Sequence, residues 1–176
     1  MVERKGIEDR DWAPFRTVAR GERALPSRPI GTRDGVGDRL RTAAFAELQA
    51  REAFLWAADR FKEAPKELRA HWRELAGDEG RHLGWLLGRM KALRIDPAER
   101  CVSTRLWDAL AACRAAREFA ELIARAEERG RLAGEGFRNK LSLRDPESAE
   151  IFGRIADEEI DHVSAAARFF PRETVR

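Results

Sequence analysis

The sequence predicts an all-α protein. Residues 38–170 read as an antiparallel four-helix bundle, residues 1–37 as an extended N-terminal arm, and residues 171–176 as a short tail. Three observations carry this reading. Apolar residues recur at helical spacing in four long segments, and no stretch alternates as a strand. Ala, Leu, Glu and Arg dominate, and all favour helix. One arrangement also occurs twice: Glu47 is followed 32 positions later by Glu79 and three further on by His82, and Glu127 by Glu159 and His162 at the same intervals.

In the arm, Pro14, Pro26 and Pro29 with Gly6, Gly21, Gly31, Gly35 and Gly37 break helices. Trp12, Phe15, Leu25 and Ile30 are candidate anchors onto the bundle. Asp38 is positioned to cap a first helix over 38–63, whose stripe includes Leu40, Ala44, Glu47 and Phe54. Pro65 fits the first turn of a second helix over 65–93, with Leu68, Trp72, Leu75, Glu79, His82 and Leu86 along one face. Gly77, Gly80, Gly84 and Gly88 lower its propensity, which close approach of another backbone would offset.

Ser103 can cap a third helix over 103–130, with Ile123 and Glu127 on one side, before Gly130, Gly134 and Gly136 interrupt the pattern. Asp145-Pro146 opens a fourth helix over 146–170, with Phe152, Ile155, Glu159, His162 and Phe169 in its stripe. Glu47 and Glu79 lie at similar distances from the first turn, on the order of 20–25 Å along each helix, so they reach one level. The middle connection is the difficulty. Residues 94–102 are short for a crossover along the bundle, which a later start of the third helix would relieve.

Length and composition narrow the function classes. At 176 residues, 43% hydrophobic and 37% charged, the chain suits a single helical domain with solvated outer faces. No apolar run approaches the roughly 18 residues of a membrane span. The N-terminus lacks the apolar core of a secretory signal, so a cytoplasmic protein is expected, with Cys101 and Cys113 reduced. The two cysteines form no CxxC pair and hence no rubredoxin-like module. Residues 1–41 hold 10 Lys and Arg against 7 Asp and Glu, so the whole net charge of +3 sits there. That is a weak pointer to nucleic acid, and a solvated arm explains it equally.

Glu and His three apart share a helix face. Two such pairs, with one Glu from each remaining helix, place four carboxylates and two imidazoles around a bundle core, the donor set for two divalent metals. Mixed carboxylate and imidazole donors suit Fe or Mn. A single ExxH on a charged helix is ordinarily surface charge. The doubled spacing within apolar stripes is what favours a site at Glu47, Glu79, His82, Glu127, Glu159 and His162. Glu118 and Glu121 are alternatives to Glu127, but Arg114, Arg117 and Arg125 around them fit a solvated face. His71 fits an ordinary helix-face histidine.

Asp78-Glu79-Gly80-Arg81-His82 is similar to the Asp-Glu-x-Arg-His motif of di-iron carboxylate oxygenases, and Glu158-Glu159-Ile160-Asp161-His162 resembles it with Asp161 in the Arg position. The chain therefore resembles the ferritin-like superfamily. Arg28-Pro-Ile-Gly-Thr32, Phe45-Ala-Glu-Leu-Gln49, Ala126-Glu-Glu-Arg-Gly130 and Asp157-Glu-Glu-Ile-Asp-His-Val163 are most similar to a bacterial ferritin-like family of unestablished activity. The ligand layout is more distantly similar to that of a di-iron tRNA hydroxylase. The resemblance implies Glu79 and Glu159 bridging two ions, with Glu47 and His82 completing one and Glu127 and His162 the other. It implies Asp78 and Arg81 orienting ligands through hydrogen bonds.

The leading expectation is an O₂-dependent di-iron oxidoreductase, a hydroxylase, supplied by an external electron donor. The alternative is a metal-handling relative: ferroxidase, iron store, or a peroxidase or di-manganese catalase acting on peroxide. A metal-free structural bundle is the third reading. The lack of any tyrosine excludes a tyrosyl-radical role. tRNA is a weakly indicated partner, and a homodimer is compatible with the sequence.

Overall fold

The computed structural model describes residues 10–170. The expected tail at 171–176 and the first nine residues of the arm lie outside the described residues. Five helices follow in order: α1 (Arg33–Arg60), α2 (Lys66–Ala92), α3 (Arg105–Ala111), α4 (Ala116–Leu141) and α5 (Pro146–Phe169). The long helices form two antiparallel hairpins, α1 with α2 and α4 with α5. The fold is an all-α bundle. The described residues contain no strand, only an isolated parallel bridge between Thr17 and Val102.

The first helix begins earlier than the sequence suggests. Thr32, not Asp38, caps it, its hydroxyl accepting from the Gly35 amide at 3.0 Å. Gly35 and Gly37, which look like breakers, are helical because packing demands them. A Cβ on Gly35 would lie 1.9 Å from the Pro29 carbonyl oxygen, and one on Gly37 3.1 Å from Ile95. Tertiary contact here overrides propensity. Asp38 is instead buried inside α1. It accepts from the Arg28 amide at 2.8 Å and from the guanidinium groups of Arg28, Arg41 and Arg100. Buried Arg41 also donates to the Asp96 and Pro97 carbonyls and to Glu99. One charged network thus joins the arm, α1 and the crossover.

Pro65 stands one position before α2 rather than in its first turn. The far end of α2 closes with Arg94 in the left-handed region at φ 53°. The Ile95 amide reaches back to the Met90 carbonyl and the Arg94 amide to that of Lys91, while Ile95 packs in the same apolar cluster as Met90.

The expected third helix over 103–130 is two helices. The chain leaves α2, returns along the bundle through residues 93–115 with α3 inside that crossover, and only then enters α4. The crossover problem is solved by the later start. The Trp107 amide of α3 donates to the buried side-chain carbonyl of Gln49 at 3.0 Å, which fixes α3 on α1. Gly130, Gly134 and Gly136 do not interrupt α4, which runs on to Leu141. Gly134 is needed where α4 meets α5, because a Cβ there would sit 3.1 Å from the Phe152 carbonyl oxygen. The expected backbone approach at Gly77, Gly84 and Gly88 is absent, since nothing lies within 4 Å of a Cβ there, and Gly80 meets only the Arg51 side chain.

Of the expected anchors, Phe15 is buried on Phe45, and Trp12 packs edge-on to Phe45 and Trp107. Ile30 is partly buried, whereas Leu25 is 76% exposed and anchors nothing. The core has two apolar clusters. One, near the α1–α2 turn, holds Phe54, Phe61, Trp72, Trp107 and Phe119. The other, toward the opposite end, holds Leu40, Phe45, Leu86, Leu141 and Phe152. On all four long helices the boundary between the clusters falls at the Glu and His positions of the repeated pattern.

Candidate metal centre

A polar layer lies at that boundary. α1 supplies Glu47, α2 supplies Glu79 and His82, α4 supplies Glu127, and α5 supplies Glu159 and His162. Two sets of donor atoms converge, each with its atoms within 4.8 Å of one another: Glu47, Glu79, His82 and Glu159 in one, Glu79, Glu127, Glu159 and His162 in the other. Glu79 and Glu159 are common to both. Glu79 and His82 are fully buried, and Glu47 is the partly exposed member.

The donors aim at common points rather than at each other. Nδ1 of His162 lies 3.0 Å from Glu79 and 3.2 Å from Glu159, and Nδ1 of His82 lies 3.3 Å from Glu159 and 3.5 Å from Glu47. Yet among the described residues Nδ1 of both histidines and all four oxygens of Glu79 and Glu159 are buried without a hydrogen-bond partner. Six orphaned polar atoms in one layer are costly in a folded core. Metal coordination would satisfy them together, so the residues present fit a metal site.

The electrostatics agree. Burial pushes the Glu47 carboxyl well above the usual range, and neighbouring Glu79 adds to this. Burial does the same to Glu127, reinforced by the charges of Glu79 and Glu159. Burial opposes ionisation of Glu79, but contact with Glu47 and both imidazoles outweighs it and holds that carboxyl well below the usual range. Burial likewise opposes protonation of His162, and Glu159 and Glu79 outweigh it, pushing it up to about 10. Burial opposes protonation of His82 as well, and Glu159, Glu47 and Glu79 outweigh it and raise it.

Outside the layer the hairpins exchange support. Nε2 of His82 on α2 meets Glu158 on α5 at 3.0 Å, and Nε2 of His162 on α5 lies 3.5 Å from Asp78 on α2. Each histidine is thus backed by the acidic residue that precedes the shared glutamate of the opposite hairpin. Arg81 binds both outer carboxylates, Asp78 and, at 3.0 Å, Glu158. One arginine thus touches the carboxylates behind both histidines, while the equivalent α5 position holds Asp161. Sequence reasoning singled out Asp78 and Arg81 but missed Glu158. The signal was present, because both motifs carry an acidic residue immediately before the shared glutamate.

Two cavities of very different size touch the layer. A cleft of about 250 Å³ between α1 and α4 is lined in part by Glu47, Glu127 and Glu159. Its walls are small or apolar, including Ala43, Ala46, Ala133 and Phe137. On the histidine side, the void among Trp72, Leu75 and Ile123 is about 10 Å³, at the limit of one water. Glu118 and Glu121, the alternative ligands, are exposed away from the layer. His71 lies beside Glu74 at 3.4 Å, apart from it.

Residues 10–175 match the family model described as "Protein of unknown function (DUF455)". The chain belongs to that family. No curated protein and no solved structure matches it. The DUF455 description names neither metal nor reaction, so a functional reading rests on the site itself. Among the described residues, no helix is long and apolar enough to cross a membrane.

Proposed function

We propose that the chain is a di-metal carboxylate oxidoreductase of ferritin-like type that uses two iron ions and O₂ to oxidise an organic substrate. The observation that carries this reading is the pair of overlapping donor sets, in which both Nδ1 atoms and the Glu79 and Glu159 oxygens are buried without a hydrogen-bond partner among the described residues. Glu79 and Glu159 belong to both sets and are the bridging candidates. Glu47 with His82 would complete one ion, and Glu127 with His162 the other. Asp78 and Glu158 fix the imidazole rings, leaving each Nδ1 turned inward. Iron so held would supply the two-electron chemistry of O₂, with an external protein donor returning electrons. The apolar clusters above and below exclude bulk water from the layer.

A ferroxidase, storage or peroxide-consuming role would use the same ligands. The cleft favours the oxygenase reading, because metal handling alone has no use for an apolar space beside the carboxylates. The test is anaerobic reduction of the iron-loaded protein followed by O₂. Oxidation of a bound organic compound supports the reading, whereas rapid donor-free O₂ evolution from peroxide would replace it with catalase-type chemistry. Tight, salt-sensitive binding of tRNA would direct the substrate search to RNA.

A further inference from the structure

The cleft holds an observation that the metal site does not use. At its outer end stands Arg39, two helical turns before Glu47 on α1. Arg39 donates to the backbone carbonyls of Arg28 and Gly35, and among the described residues it has no carboxylate partner. Nearby Arg28, Arg41 and Arg100 all contact acidic side chains. Ser27 and Thr42 line the space beside it. Glu47, Glu127 and Glu159 line it farther along α1, α4 and α5, and the remaining walls are Ala, Gly and Phe with Leu106 and Ile155. The eight residues from Arg39 to Glu47 advance about 12 Å along the helix.

We propose that the cleft binds an anionic amphiphile, an apolar chain whose carboxylate head pairs with Arg39 and whose far end lies over the carboxylate layer. An anion beside those glutamates would face acidic side chains, and at the outer end a cation, so charge sets the direction of entry. The small α4 residues make the room. At Gly130 an added Cβ would meet nothing within 4 Å. That this far end is the part oxidised rests on the di-metal reading; the binding itself does not.

The test is titration of octanoate into the full chain by calorimetry, with octanol as the neutral control. Gly130→Leu narrows the cleft and Arg39→Gln removes the charge. Thermal melts verify folding, and metal content is read separately. The expected result is saturable octanoate binding that both variants weaken by about tenfold or more, while Arg39→Gln leaves octanol binding unchanged. No octanoate binding, or binding indifferent to both substitutions, overturns the proposal. So does a change in oligomer mass with Gly130→Leu without octanoate binding, which would make the cleft a seam between two copies. A protein that takes up metal but not octanoate loses only this inference. One that binds octanoate but never metal loses the di-metal reading instead.

Discussion

His82 and His162 show how little freedom a side chain has at this site. Each turns Nδ1 inward and lays Nε2 against a carboxylate of the opposite hairpin. Glu158→Gln and Asp78→Asn keep the shape but remove the charge that fixes the ring. Each substitution should weaken metal binding by about 10–100-fold, read by competition with a chelating dye. Unchanged affinity in both would show that the rings are held by packing alone. Protons add a second expectation. Glu47, Glu127, His82 and His162 all titrate above their ordinary values without metal, so loading must displace protons. The sign follows from linkage. Groups with raised values bind protons more tightly when folded, so their stabilisation is present at low pH and lost as pH rises. For His162 the loss runs from about 6.5 to about 10. Metal-stripped protein should therefore melt at progressively lower temperature across that window, and metal-loaded protein should not. Parallel melting curves for the two forms would contradict this.

At the scale of helices, the glycines divide into two kinds, and substitution should separate them. Gly35→Ala drives a methyl into the Pro29 carbonyl and should destabilise by about 1–3 kcal/mol. Gly84→Ala meets open space on exposed α2 and should stabilise by up to about 1 kcal/mol. Denaturant midpoints measure both, and shifts of the same sign would show that the packing at Gly35 is misjudged. These residues also mark what the sequence could tell. Local periodicity placed α2 and α5 closely and put each Glu-x-x-His pair on one helix face, because i and i+3 on a helix are neighbours whatever surrounds them, and the rise per residue put Glu47 and Glu79 at one level. It did not place the start of α1, since Gly35 and Gly37 are helical for reasons supplied by Pro29 and Ile95. The break between α3 and α4 was hinted at only by the length of the crossover. Glu158 stands in the second motif where Asp78 stands in the first, but its partner, His82, is on another helix, and no period within one helix reveals such a pairing.

Across the whole molecule, two charged assemblies are buried in one bundle, and they serve different ends. The Asp38 network ties the arm and the crossover to α1. Burial alone would raise the Asp38 carboxyl, but Arg28 and Arg100 outweigh it and hold it well below the usual range. Its stabilisation is present above pH 3.8 and lost as pH falls below that value. Asp38→Asn leaves buried Arg41 with Glu99 as its remaining carboxylate partner and removes the charge that Arg28 and Arg100 also share, and should cost about 3 kcal/mol, seen as a lowered denaturant midpoint without loss of bound metal. The Glu and His layer, by contrast, holds buried atoms that have no hydrogen-bond partner among the described residues. The direct test is metal content per chain, by plasma mass spectrometry on protein made without an affinity tag. The account predicts about two Fe, or two Mn, per chain, lost in Glu79→Ala with His162→Ala. Folded protein that holds no metal after anaerobic Fe(II) loading, and is as stable with both residues replaced, would contradict it.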